Sequence, residues 1–190
     1  MRSCEITRDT KETAVKLSIS LDGTGIVEAD TGIPFFDHML SAFGRHGGFD
    51  LKVNVKGDLL VDYHHTIEDV GIVLGQAVLE ALGDMKGIER FAHIAVPMDE
   101  AISYVTLDIS KRPYLVMNGE FLGGLPFPDT LVEHFFYSFC TNAKITAHLS
   151  FSGRDSHHMC EALFKAFGVA LKTASRVDSN KGIPSTKGVL

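Results

Sequence analysis

The chain has 190 residues, 45% of them hydrophobic and 22% charged, with a formal net charge of −6 and a pI near 5.8. That is ample apolar material for one domain, or two small intimate ones, and the acidic balance excludes nucleic-acid binding driven by bulk charge. Three cysteines (Cys4, Cys140, Cys160) form no regular framework, no apolar leader follows Arg2, Glu5 and Arg8, and no run is long enough to span a bilayer, so a soluble chain in a reducing cytoplasm is expected.

Polar and apolar residues alternate from Arg2 to Arg8 and from Thr13 to Leu21, predicting a strand pair joined near Thr10-Lys11. Asp22-Gly23-Thr24-Gly25 reads as a tight turn, with a third strand over Ile26 to Ala29. Pro34 suits the first position of a helix, and Phe35, His38, Met39, Ala42 and Phe43 keep helical spacing as far as Gly47-Gly48. Alternation returns from Phe49 to Lys56, and a second helical pattern stops at Gly83. The other half repeats this order. Strands are predicted over Phe91 to Val96, Ile102 to Ile109 and Tyr114 to Phe121. A helix led in by Pro126 to Pro128 runs through Thr141, and a strand over Ile145 to Ser152 precedes a last helix from about His157 to Thr173. Two copies of β-β-β-α-β-α mean internal duplication and an α+β fold, a two-layer sandwich of sheet against helices. The half-repeats fall at 1–87 and 88–178, with a basic tail over 179–190.

One frame is written twice. Asp62-Tyr63-His64-His65-Thr66-Ile67-Glu68 returns 93 positions on, from 62 to 155, as Asp155-Ser156-His157-His158-Met159-Cys160-Glu161. Aspartate, paired histidines and glutamate are kept while the intervening residues change. Imidazole and carboxylate together suit a borderline divalent ion. Apolar residues at helical spacing follow each copy, so His-His-x-x-Glu opens a helix, with Asp62 or Asp155 placed to cap it. Adjacent histidines on a helix diverge by about 100°, so they are expected to feed two different sites, and bridging between chains follows naturally. Overlaying the halves also pairs His38 with His134. Each half thus supplies three histidines and one glutamate, and eight ligands divide into two His3Glu sites. Cys160, whose counterpart is Ile67, reads as core.

Other positions carry weaker signals. Glu12 and Asp99-Glu100 stand before the long second strand of each half, where a carboxylate could act as general acid or base. Arg90 and Arg112 punctuate strands of the second half and could bind an anion. Lys165 lies one turn beyond Glu161 and can lean over a site, and hydroxyls beside Lys187 in the tail could contact phosphate.

Phe-Phe-Asp-His-Met-Leu (35–40), the doubled Asp-x-His-His-x-x-Glu, Pro-Met-Asp-Glu-Ala (97–101), Ser-Gly-Arg-Asp-Ser-His-His (152–158) and Pro-Ser-Thr-Lys-Gly (184–188) together resemble the imidazoleglycerol-phosphate dehydratase family, from Arg8 to the end of the chain. The resemblance implies a hydro-lyase of histidine biosynthesis in its monofunctional form, built from two superposable halves of the ribosomal-S5-domain-2-like type. It implies two manganese ions, and trimers assembled into a shell of twenty-four subunits with active sites between subunits. By the same resemblance, His38, His64, His65, Glu68, His134, His157, His158 and Glu161 are metal ligands. Glu12 moves a proton, with His65 and His158 also in the catalytic set. Glu12, His46, Arg90, Arg112, Lys165, Ser185 and Lys187 bind the substrate, with Arg90, Arg112, Lys165, Ser185 and Lys187 holding its phosphate and His46 near the substrate region.

The chemistry fits those residue types independently. Dehydrating a diol beside an imidazole must break a C–H bond that is not acidic. A metal on a ring nitrogen favours the imidazolate, which can expel the neighbouring hydroxide to a diazafulvene-like species. Proton loss then gives an enol and finally a ketone. A dinuclear metallohydrolase and a non-catalytic metal-binding protein are the alternatives on the same ligands. The first would release inorganic phosphate, and the second would have no use for Arg90, Arg112, Lys165 and Lys187.

Overall fold

The computed structural model describes residues 2–188; Met1 and the end of the expected tail, Val189 and Leu190, lie outside the described residues. Strands β1 (Ser3–Asp9), β2 (Thr13–Ser20) and β3 (Val27–Asp30) are followed by helix α1 (Pro34–Gly47), strand β4 (Asp50–Gly57) and helix α2 (His64–Leu82). The second half gives β5 (Phe91–Met98), β6 (Ala101–Ile109), β7 (Tyr114–Asn118), α3 (Thr130–Ala143), β8 (Ile145–Ser152) and α4 (Ser156–Ser175). The duplicated β-β-β-α-β-α order is therefore present. So is the duplicated pairing: the sheets run β1-β2-β4-β3 and β5-β6-β8-β7, with the third strand of each half parallel to the fourth.

Strand alternation buries one face of each sheet. In β2, Thr13, Val15, Leu17 and Ile19 point inward; in β6, Ala101, Ser103, Val105, Leu107 and Ile109 do. Helices of each half cover their own sheet, α2 lying on β1 and β2 and α4 on β5 and β6. Each half is thus the expected sheet-and-helix sandwich. The halves then meet helix to helix, α2 on α3 and α1 on α4, around phenylalanines 36, 43, 135, 136, 139, 164 and 167. Close approach at these contacts depends on glycine. A Cβ on Gly75 of α2 would lie 2.5 Å from the Phe139 carbonyl oxygen of α3, and one on Gly168 of α4 would lie 2.3 Å from the Phe43 carbonyl oxygen of α1.

Most boundaries fall within two residues of the sequence reading, and β7 is the exception. It stops at Asn118 because the chain turns away at Gly119 (φ 140°), and Phe121 folds over to stack on Phe151 at 4.4 Å. Helix α1 starts at Pro34 and ends on Gly48 in the left-handed conformation (φ 65°), whose N–H caps the carbonyls of Gly44 and Arg45. The two histidine frames differ slightly at their caps. Asp155 accepts from the backbone N–H groups of both His157 and His158, at 2.7 and 3.2 Å. Asp62 accepts only from that of His64, at 2.8 Å.

Candidate metal centre

The helix pairs that join the halves also bring together six of the expected ligands. In the first trio, His38 of α1 meets His157 and Glu161 of α4: the Nε2 atoms of His38 and His157 lie 3.1 and 3.2 Å from Glu161 Oε2. In the second, His134 of α3 meets His64 and Glu68 of α2, with His134 Nε2 3.4 Å from Glu68 Oε1 and His64 Nε2 3.5 Å from Oε2. Each trio draws one histidine from one half and a histidine–glutamate pair, one helical turn apart, from the other.

The donor atoms of each trio lie within 4.8 Å of one another. Ligands bound at about 2.0–2.2 Å stand roughly 3–4 Å apart across an ion, so little movement is needed to close on one. His134 Nε2 adds a further sign: it is buried and, though 3.4 Å from Glu68 Oε1, makes no hydrogen bond, a costly state for a ring nitrogen that an ion relieves. The donor set and this unpartnered atom fit a metal cofactor.

Six of the eight expected ligands are thus gathered, and His65 and His158 are not. The divergence expected of adjacent helical residues turns them away from the trios and toward acids. His65 has Nδ1 2.9 Å from Asp58 Oδ2 and Nε2 3.7 Å from Glu12 Oε1. His158 has Nδ1 2.9 Å from Glu100 Oε2 and Nε2 3.8 Å from Asp99 Oδ2. The hydrogen-bonded carboxylates, Asp58 and Glu100, hold both rings above the ordinary histidine range, and the bond to His158 is the first cause that brings Glu100 down to about 2. No single chain therefore contains a His3Glu set among the described residues. Glu12 is exposed, beside His65.

The first trio opens onto a cavity of about 320 Å³, into which Arg45, His46 and Lys165 bring basic groups. Lys165 Nζ lies 2.7 Å from Glu161 Oε1. Burial works to raise Glu161, but Lys165 and then His38 hold it at about 2. Burial first, then the Lys165 ammonium, push His46 below the usual histidine range. The other expected phosphate ligands gather elsewhere. Arg90 and Arg112 both bond Asp108, at 2.7 and 3.0 Å, and Arg90 also donates to the Pro184 carbonyl at 2.7 Å, which brings the tail with Ser185 and Lys187 alongside. Arg90 N–H binds the Ala174 carbonyl near the end of α4, nine residues past Lys165 or about 14 Å along the helix axis. Within one chain the basic residues form two groups, not one. Asp58 and Arg45 are members of these sites that the sequence reading did not assign. Neither belongs to the repeated frame or to the overlay of the two halves, the signals that marked the expected ligands.

A pair of histidine–carboxylate trios built from a duplicated α+β unit suits a metal-dependent enzyme. A model of the family described as imidazoleglycerol-phosphate dehydratase matches residues 31–171. Imidazoleglycerol-phosphate dehydratases of Methanoculleus marisnigri and Methanospirillum hungatei are 56% and 55% identical to this chain, each over 100% of both sequences. The Staphylococcus aureus enzyme superposes with a TM-score of 0.84 at 37% identity, over 93% of this chain and 99% of that one. The Pyrococcus furiosus enzyme, solved in complex with (S)-C348, gives 0.86 at 35% identity, over 97% and 100%. The chain belongs to the imidazoleglycerol-phosphate dehydratase family, and its activity is that of a hydro-lyase on a small-molecule substrate. Among the described residues no helix is long and apolar enough to cross a membrane.

Proposed function

We propose that each trio holds one divalent transition ion, manganese by preference, and that two ions serve each active site in the dehydration of imidazole glycerol phosphate to imidazole acetol phosphate and water. The observation that carries this reading is the pair of trios with donors within 4.8 Å, one of them including the unpartnered His134 Nε2. When bound, the ions supply Lewis-acid polarisation and a template for the ring nitrogens of the substrate. His65 and His158, turned outward from their own trios, complete the coordination in neighbouring copies, so the working site lies between subunits. The trimer-based shell of twenty-four subunits supplies such neighbours, and the cytoplasm is its compartment.

The same arrangement explains the divided basic residues. Lys165 and His46 of one copy, and Arg90, Arg112, Ser185 and Lys187 of another, together surround the phosphate and fix which carbon faces the acid–base group. The tail over 179–190 acts as a phosphate-binding strap. Glu12, exposed beside His65, takes the proton from the carbon next to the one that loses hydroxyl, and the enol that remains becomes the ketone. Phosphate stays on the product.

The test combines metal analysis, mass measurement and product identification on the whole chain. Manganese near two ions per subunit, a large assembly that breaks up when chelator strips the metal, and a ketone with phosphate retained are expected. Inorganic phosphate release would instead mark a hydrolase, and a metal-free active preparation would end the reading. Glu12→Gln is expected to lower kcat by about 10²–10⁴-fold with metal content unchanged, and full turnover would remove Glu12 from proton transfer.

A further inference from the structure

His65 and His158, the histidines that the trios leave out, are held at the same ring atom by carboxylates that the duplication does not relate. Asp58 directly follows β4; the residue directly following β8 is Gly153. Glu100 directly precedes β6; the residue directly preceding β2 is Glu12, which faces Nε2 of His65 instead of Nδ1. The reason for the exchange is steric. A Cβ on Gly153 would stand 2.8 Å from Ala101 Cβ and 2.9 Å from Met159 Cγ, so the second half has no space for an acid after its fourth strand. The turn between β5 and β6 provides one, and Arg154 N–H steadies it by donating to Glu100 Oε1 at 3.0 Å. Both acids are largely withdrawn from solvent, with side chains 25% and 21% exposed. Two unrelated loops reaching one ring nitrogen is not explained by inheritance of the frame.

A carboxylate that accepts from Nδ1–H fixes the tautomer and the ring plane, and leaves the lone pair on Nε2. We propose that Asp58 and Glu100 are positioning residues for metal binding, Asp58 orienting His65 and Glu100 orienting His158 so that each presents Nε2 outward to an ion on a neighbouring copy. This rests on the reading above that both histidines are ligands.

Manganese is titrated into the chelator-stripped full chain carrying Asp58→Ala or Glu100→Ala, with bound ions counted at each concentration. Each variant should weaken one of the two ions by about 10–100-fold and leave the other as in the parent. Asp58→Asn, whose amide oxygen still accepts from Nδ1–H, should recover most of the loss. A merely structural role would lower the melting temperature of the stripped chain without moving affinity. Parent-like affinity for both ions in both alanine variants overturns the proposal. His65→Ala separates the two readings: if it too keeps both ions, the ligand assignment has failed, and if it alone loses one, only the anchoring role has. Should an alanine variant not fold, ring ¹⁵N shifts of the stripped parent at alkaline pH decide. Nδ1–H tautomers at His65 and His158 support the proposal, and Nε2–H tautomers sink it.

Discussion

The trio on α1 and α4 and the trio on α2 and α3 share donors and spacing but differ in what stands behind the carboxylate. One turn past Glu161 is Lys165, at 2.7 Å; one turn past Glu68 is Ile72. The Glu161 side chain is 10% exposed and the Glu68 side chain 35%. Duplication has therefore preserved the histidine and carboxylate donors and released the groups around them. The first trio has the Lys165 ammonium behind it and opens on a cavity lined by basic groups. The second is more open and leaves His134 Nε2 without a hydrogen bond.

The sharpest way to break this comparison is to remove a ligand from each trio in turn. His157→Ala and His64→Ala should each lower affinity for their own ion by at least ~100-fold, beyond the range seen for groups that only support a ligand, and metal counting should find the other ion still bound. Loss of both ions from either variant would mean the trios do not act separately. Next come the glycine contacts. Gly168→Ala and Gly75→Ala push a methyl against backbone of the facing helix, and each should cost about 1–3 kcal/mol in stability, read as a denaturation midpoint, with the ion of its own helix pair bound more weakly. Lys165→Met should act in opposite senses on the two ligands. With the cation gone, the first ion should bind several-fold more tightly while the substrate KM rises; a KM unchanged from the parent would detach Lys165 from the anion.

The pH dependence of the stripped chain is a smaller effect. Glu161 lies below its unfolded value, so its contribution is present above the ordinary glutamate value of about 4.5 and is lost as pH falls through about 2. Lys165→Met should flatten that part of an acid-melting series. Smallest of all is Asp22, on which the Arg2 guanidinium is the first cause of a fall to about 2. Its contribution is likewise present above the ordinary aspartate value and lost as pH falls through about 2. Its side chain is 39% exposed, so solvent screening should keep Asp22→Asn within ~1 kcal/mol of the parent in a denaturant titration.

The repeated frame and the overlay of the halves made the members of both trios and both halves of the fold legible, because spacing is visible in a linear chain and alternation reports directly on a half-buried sheet. Divergence of adjacent histidines was readable for the same geometric reason. How the trios are shared was not: nothing in the order of His38 and Glu161, 123 positions apart, says that α1 packs on α4 and not on its neighbour α2. Asp58 carried no signal in the sequence, and Glu100 read only as a candidate acid or base beside its counterpart Glu12, because each meets its histidine through loop geometry. The short β7 depended on Phe121 finding Phe151, a contact of the folded chain.

The crossed origin of the trios has a consequence for how such a molecule could arise. Neither half on its own carries a complete grip, so a one-repeat ancestor with these helices would have needed a twin, and symmetry would have made its two grips identical. Joining such twins into one polypeptide would give each trio its own address in the gene, so that a lysine could be placed behind one and withheld from the other.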